Sequence, residues 1–226
     1  MLSISATTEW RTAHPGAVIG LLELSRVDNR HPSLQLDERK RETEARLRER
    51  HRGCTRSDFL SLPAMAAYAG YYKRFGKTYH VLLQVESIVL KGRPLPNVSP
   101  LVDSNFMAEV ETLVLTAGHD AEKLVGEVSM DVSRDGDRLT QMDGTTRALL
   151  AGDMLMRDAK GVCCSILYGQ DNRSPIAVDT SHVLYVAYAT AGVSAETVEA
   201  HLRAIEDHVR LVSPLAVRGQ QRLLSA

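Results

Sequence analysis

His119 and Asp120 stand side by side behind Gly118, in the stretch LTAGHDAEKLVG over 115–126. An imidazole beside a carboxylate can supply a general base and its orienting partner, because histidine titrates near neutrality. Neighbouring residues seldom face each other in that geometry, so the stretch also reads as a glycine turn in which Asp120 caps the short AEKL turn. A second polar group, GQDNRSPIAVD over 169–179, separates two apolar segments. Its Asp171, Asn172 and Arg173 suit a ligand amine or hydroxyl, through Asp171 above all, and equally suit a solvated turn. No phosphate loop, GxGxxG, GxSxG or HExxH pattern is present. The eight histidines are scattered, and Cys54, Cys163 and Cys164 have no zinc spacing. No metal and no cofactor is expected. Cys163 and Cys164 read as small apolar residues of a buried strand.

The elements that must position these residues follow from periodicity. Ala17–Leu24 is a nearly continuous apolar run and predicts a buried strand. Residues 33–53, rich in Glu and Arg, predict a helix with a thin apolar stripe of Leu34, Leu36 and Leu47, stopped by Gly53. Two more helices are predicted over 61–77, with Pro63 in its first turn, and over 78–92, with Val81, Val85, Ile88 and Val89 on one face. Residues 101–115 predict a short strand running into a helix capped by Asp103 or Ser104. Alternating Val128, Met130 and Val132 then announce hairpins, with turns at Asp135-Gly136 and Asp143-Gly144 and two more strands around Lys160-Gly161. SHVLYVAYA predicts a strand, and Ser194 caps a last helix whose apolar face is Val198, Leu202, Ile205, Val209 and Val212. GQQRLLSA reads as frayed. The fold class is α+β: one domain with a mixed, mostly antiparallel sheet and flanking helices.

With 226 residues, 44% hydrophobic and 24% charged, the composition is that of a soluble globular chain. No apolar run reaches the roughly 18 residues of a membrane span, so no membrane partner is expected. MLSISATTEWRT lacks the charge and apolar core of a secretory signal, and with the three cysteines this predicts a reduced, cytoplasmic protein. The net charge of −1 conceals an asymmetry. Arg39 to Arg93 holds thirteen Lys/Arg against five Asp/Glu, while Asp103 to Asp153 holds four against eleven. The basic segment suits an anionic partner and suits a solvated helix too.

The order of these pieces resembles a known family. LVDSNFMAEV, the seventeen-residue step from Asp103 to Asp120, a Gly-started strand, MDG at 142–144 and YGQDNRSPIAVDTSHVL are together similar to the editing domain of the phenylalanyl-tRNA synthetase beta subunit. That domain is built from the subunit's fused third and fourth modules. The similarity covers about residues 14–212, leaving 1–13 and 213–226 as tails. It implies a free-standing, tRNA-binding, editing-type module without the synthetase core, hence not a complete ligase. Its implied activity is that of an aminoacyl-tRNA deacylase, cleaving a mischarged ester in trans. The alternative is a non-catalytic module for tRNA or an amino-acid-like ligand. Partners would be tRNA or aminoacyl-tRNA and its amino-acid moiety; the oligomeric state is not set. On this resemblance His119 is the catalytic candidate. Asp171, Asn172, Arg173, Thr180 and Asn105 are the substrate-binding candidates, and Arg46, Arg48, Arg50 and Lys91 the RNA-binding ones. The sequence departs from the family pattern in places. Ala117 stands where the family has a histidine, His119 where it has an aromatic residue, and Asp171 near its recognition glutamate.

Overall fold

The computed structural model describes residues 2–226. Met1, the first residue of the expected N-terminal tail, lies outside them. Two sheets and a separate hairpin are joined by helices. The first sheet has the order β1-β4-β7-β8-β9, from β1 (Ile4–Ala6), β4 (Val128–Val132), β7 (Met154–Asp158), β8 (Gly161–Ser165) and β9 (Gly169–Gln170). The second has the order β11-β2-β10-β3, from β2 (Val18–Ser25), β3 (Thr116–Asp120), β10 (His182–Ala189) and β11 (Val217–Ser225). Only β1 and β4 pair in parallel among the described strands, which makes the architecture mixed but mostly antiparallel, as expected.

The second sheet is organised by β2, whose residues are nearly all buried. A strand covered on both faces loses the polar alternation of a half-exposed one, which explains its continuous apolar run. Gly20 lets α7 (Ala195–Val212) lie close against it, since a Cβ there would stand 2.5 Å from Val198 Cγ1. Val198, Leu202, Ile205 and Val209 face that sheet as their spacing predicts, and Ser194 Oγ accepts from Thr197 N as the cap.

The helices between β2 and β3 are α2 (Leu34–Arg50), α3 (Arg56–Leu60), α4 (Pro63–Lys73), α5 (His80–Val85), continued by a π-helical turn over Glu86–Leu90, and α6 (Pro100–Thr112). Pro63 and Pro100 each sit in a first turn, where the missing N–H costs nothing. On α2, Leu36 and Leu47 are buried, but Leu34, in the same first turn as Leu36, is solvent-exposed. The stripe is therefore thinner than expected. Tyr68, Tyr71 and Tyr72 of α4 are buried, with Tyr68 stacked on Tyr79 at 4.3 Å.

Several expectations are corrected. No strand opens the segment at 101: Ser99 precedes α6 and Asp103 lies inside its first turn, buried against Lys40 rather than capping. Ser104 is likewise within the helix, donating to Pro100 O at 2.8 Å. Asp143-Gly144 does turn the hairpin of β5 (Arg138–Thr140) and β6 (Thr146–Ala148). Asp135-Gly136 turns the chain between β4 and β5, which belong to different sheets, so no hairpin forms there. The termini are not loose. β1 and α1 (Thr8–Ala13) bring Trp10 into the core, and β11 pairs with β2 along its length rather than fraying. Exposed polar residues on β11 gave no apolar signal, yet the backbone of β2 needs partners on both sides.

Candidate functional site

A cavity of about 800 Å³ opens where β3, the 175–178 loop, β8 and the first turns of α2 and α6 converge. The walls are tied to one another by polar side chains, Asn29 buried and Gln170 half-buried. Asn29 Nδ2 donates to Ala177 O at 2.8 Å, and its Oδ1 accepts from Leu101 N at 3.0 Å, which links the loop to the start of α6. Gln170 Nε2 donates to Gly118 O at 2.8 Å and to Ser174 O at 2.9 Å. Glycine at 118 permits the loop's close approach: a Cβ there would fall 2.6 Å from Ile176 Cδ1. In the floor, Ser165 Oγ donates to Asp153, whose other oxygen accepts from Tyr71 Oη at 2.6 Å. Burial pushes the Asp153 carboxyl up to about 6.

The cavity interior is close to neutral. Asp103 forms part of the wall, but its Oδ2 lies 2.8 Å from Lys40 Nζ and its Oδ1 accepts from Val98 N at 2.9 Å. Two lining residues carry buried polar atoms with no hydrogen-bond partner among the described residues, Asn105 at Oδ1 and Tyr188 at Oη. Arg30 and Asp37 are the further charged groups of the lining, and His80, which is exposed, is its imidazole.

Of the candidate catalytic, substrate-binding and RNA-binding residues, Asn105 alone lines this cavity; Ala117 and Gly118, which precede His119, line it too. His119 is fully buried beneath the polar loop, with Nδ1 2.8 Å from Ser174 Oγ and 3.0 Å from Gln170 Nε2. Asp120 caps the short 3-10 turn over Ala121–Lys123, accepting from Glu122 N at 3.1 Å, so the Gly-His-Asp stretch is a strand end and a cap. Asp171 is not an exposed ligand contact. It is buried, it accepts from Ser174 N at 3.0 Å and Ser174 Oγ at 2.6 Å, and it pairs with Arg173 at 2.9 Å. Arg173 also pairs with Asp158 at 3.1 Å. Thr180 Oγ1 donates to Asp120 Oδ2 at 2.9 Å, and Asn172 is solvent-exposed. The loop is polar because it is cross-braced from within. Sequence reasoning missed Asn29, Gln170 and His80. The only signal was a polar residue at the end of an apolar strand or on a helix face, which ordinary surface residues share.

The basic segment is similarly divided. Arg46 pairs with Glu111, and Arg48 donates to Ile88 O at 3.1 Å and Arg93 O at 3.0 Å. Arg50 and Lys91 are exposed and make no ion pair among the described residues. The cavity touches the start of α2 and Arg50 ends it, about 25 Å away at 1.5 Å per residue.

Residues 67–217 match the B3/4 domain family, about two thirds of the chain. The chain belongs to the B3/4 domain family. Domains of this kind are found in the phenylalanyl-tRNA synthetase beta subunit. An N-terminal fragment of that subunit from Pyrococcus horikoshii superposes on 97% of the chain at 9% identity, with a TM-score of 0.47. The chain spans 54% of that fragment. No curated protein matches the sequence. In this B3/4 domain chain, β2 and α2 lie before the matched region, yet Asn29 and Leu36 contribute to the cavity wall. Among the described residues no group of His, Cys, Asp or Glu is placed to hold a metal ion, and no helix is long and apolar enough to cross a membrane.

Burial lowers His119 to about 3. Asp158 opposes that shift and Arg173 adds to it, so the ring is neutral at pH 7 and is not poised as a base. The unfolded histidine titrates near 6.5. Below that pH the unfolded chain takes up a proton that the folded one refuses, so stability falls as pH drops from about 6.5 toward 3. The slope for one group is at most about 1.4 kcal/mol per pH unit. His119→Asn is expected to shallow the pH dependence of urea unfolding between pH 6 and 4 by one proton. An unchanged slope would mean that the ring is already protonated in the fold.

Proposed function

We propose that this B3/4 domain binds tRNA and receives its aminoacylated 3′ end in the cavity. The reading is carried by Asn105, whose buried Oδ1 accepts nothing from the protein on the wall of a cavity large enough for a drug-sized ligand. A protonated α-amine is a donor of the right kind. The neutral interior favours an ester over a free amino acid. An amino acid in ester linkage has lost its carboxylate charge, and Lys40, the buried cation behind the wall, is already paired with Asp103. Arg50 and Lys91, at the far end of α2, suit phosphates further along the RNA.

Ester hydrolysis in the same cavity is a second reading, favoured by His80, the exposed imidazole that lines it. His119 takes no part in either reading. A deacylation assay on mischarged tRNAs, with His80→Ala as the comparison, separates an editing hydrolase from a binding module. Turnover that disappears in the variant supports hydrolysis, and no turnover by the native chain leaves binding.

Asn105→Ala tests the shared core of both readings. A hydrogen bond to a charged group contributes about 1.5–3 kcal/mol, so affinity for aminoacyl-tRNA is expected to fall tenfold or more in equilibrium filter binding. The melting temperature should hardly move, since the Asn105 oxygen has no protein partner to lose. Equal affinity of variant and native chain for aminoacylated tRNA would sink the assignment.

A further inference from the structure

We propose that Val98, Met142 and Val178 form a preformed apolar collar that packs on the nucleobase at the 3′ terminus of the RNA; this deepens the tRNA reading and rests on it. The three residues come from separate segments: the lead-in to α6, the turn of the β5–β6 hairpin and the 175–178 loop. All three line the mouth of the cavity. Val98 is 67% exposed, Val178 66% and Met142 64%. Among the described residues only Leu34 and Leu215 expose a larger fraction of a large apolar side chain, and neither is at the cavity. Exposed apolar groups scattered singly need no explanation, but three converging on one opening form a surface that gains from being covered.

Their exposure is held in place. Val98 N donates to Asp103 Oδ1 at 2.9 Å, Ala177 O accepts from Asn29 Nδ2 at 2.8 Å, and Gln141 Nε2 donates to Tyr168 O at 2.6 Å. Each bond fixes a backbone segment beside a collar residue, so little ordering entropy remains to be lost when a ligand arrives.

One cation at the same mouth can meet the phosphate of a nucleotide. Arg30 lines the opening, is exposed, and makes no ion pair among the described residues. Asp37, in the first turn of α2, and His80 are the other ionisable groups that line the mouth. A flat apolar group joined to a phosphate matches an apolar ring beside a free guanidinium. The collar would also separate an RNA-linked amino acid, which carries a base to fill it, from a free amino acid, which does not.

The probe is the trinucleotide CCA, compared with the same trinucleotide lacking its 3′ base. The variant is Val98→Ser/Met142→Ser/Val178→Ser. Three exposed substitutions should leave the fold intact, which unchanged thermal melting checks. Native protein is expected to bind CCA at least tenfold more tightly than the abasic form, and the triple variant to lose that preference. Arg30→Gln should weaken both oligonucleotides and reduce the salt dependence. Native protein that binds tRNA but shows no preference for the base overturns the collar and leaves the tRNA reading standing. Failure to bind tRNA or CCA at low salt overturns both. If CCA is ignored while a protein partner's binding is lost in the triple variant, the collar is a protein contact and the nucleobase assignment is wrong.

Discussion

Asp103→Ala is expected to destabilise the domain by about 3–5 kcal/mol, because it leaves an ammonium stranded in the interior. Lys40 and Asp103 expose only 6% and 8% of their side chains and meet at 2.8 Å. Asn97 is the other acceptor of Lys40 and carries no charge to replace the carboxylate. The substitution also removes the acceptor of Val98 N. Asp103→Asn should cost nearly as much, since the missing charge rather than the missing volume dominates. Lys40→Met/Asp103→Leu should recover most of the loss, because an apolar pair needs no desolvation repaid. Urea midpoints with an unchanged m value measure all three. A loss below about 1 kcal/mol for Asp103→Ala would mean that Lys40 finds water or loses its proton. The pair would then not hold α2 against α6.

Trp10→Ala is expected to cost about 3–5 kcal/mol, the usual penalty for emptying a buried tryptophan site. Trp10 is completely buried on α1, a helix whose start is fixed by Thr7: its Oγ1 accepts from Trp10 N at 3.1 Å and donates to Asp131 at 3.0 Å. For a chain of this size that corresponds to a fall in melting temperature of roughly 6–20 °C. Far-UV circular dichroism is the suitable readout, because Trp10 is the single tryptophan and its removal abolishes the fluorescence signal. A dangling N-terminal tail would instead change by less than about 0.5 kcal/mol. Residues 2–13 therefore belong to the folded unit if the larger figure is found.

The amino-acid sequence by itself determined the elements whose signal is local. The apolar run of β2, the 3.6-residue spacing on α7, the Ser194 cap and the Asp143-Gly144 turn depend on neighbours within a few residues, and each stands where its pattern places it. The α+β class and the mixed pairing followed from their order. Tertiary structure decided what the polar residues do. Asp171 and His119 have the types of ligand-binding and catalytic residues, but partners from the 169–179 loop, Ser174, Arg173 and Gln170, turn them into bracing. Arg46 is an exposed cation in sequence and half of an ion pair in the fold, because Glu111 is 65 residues away along the chain and adjacent in space. Asn105, a substrate-binding candidate through the resemblance, sits on α6 and lines the cavity. β11 becomes a strand because β2 has an open edge, not because its own residues demand it. Periodicity and capping are properties of a short stretch of chain. Whether a polar atom is satisfied depends on which distant segment comes to lie against it, and only the closed fold fixes that.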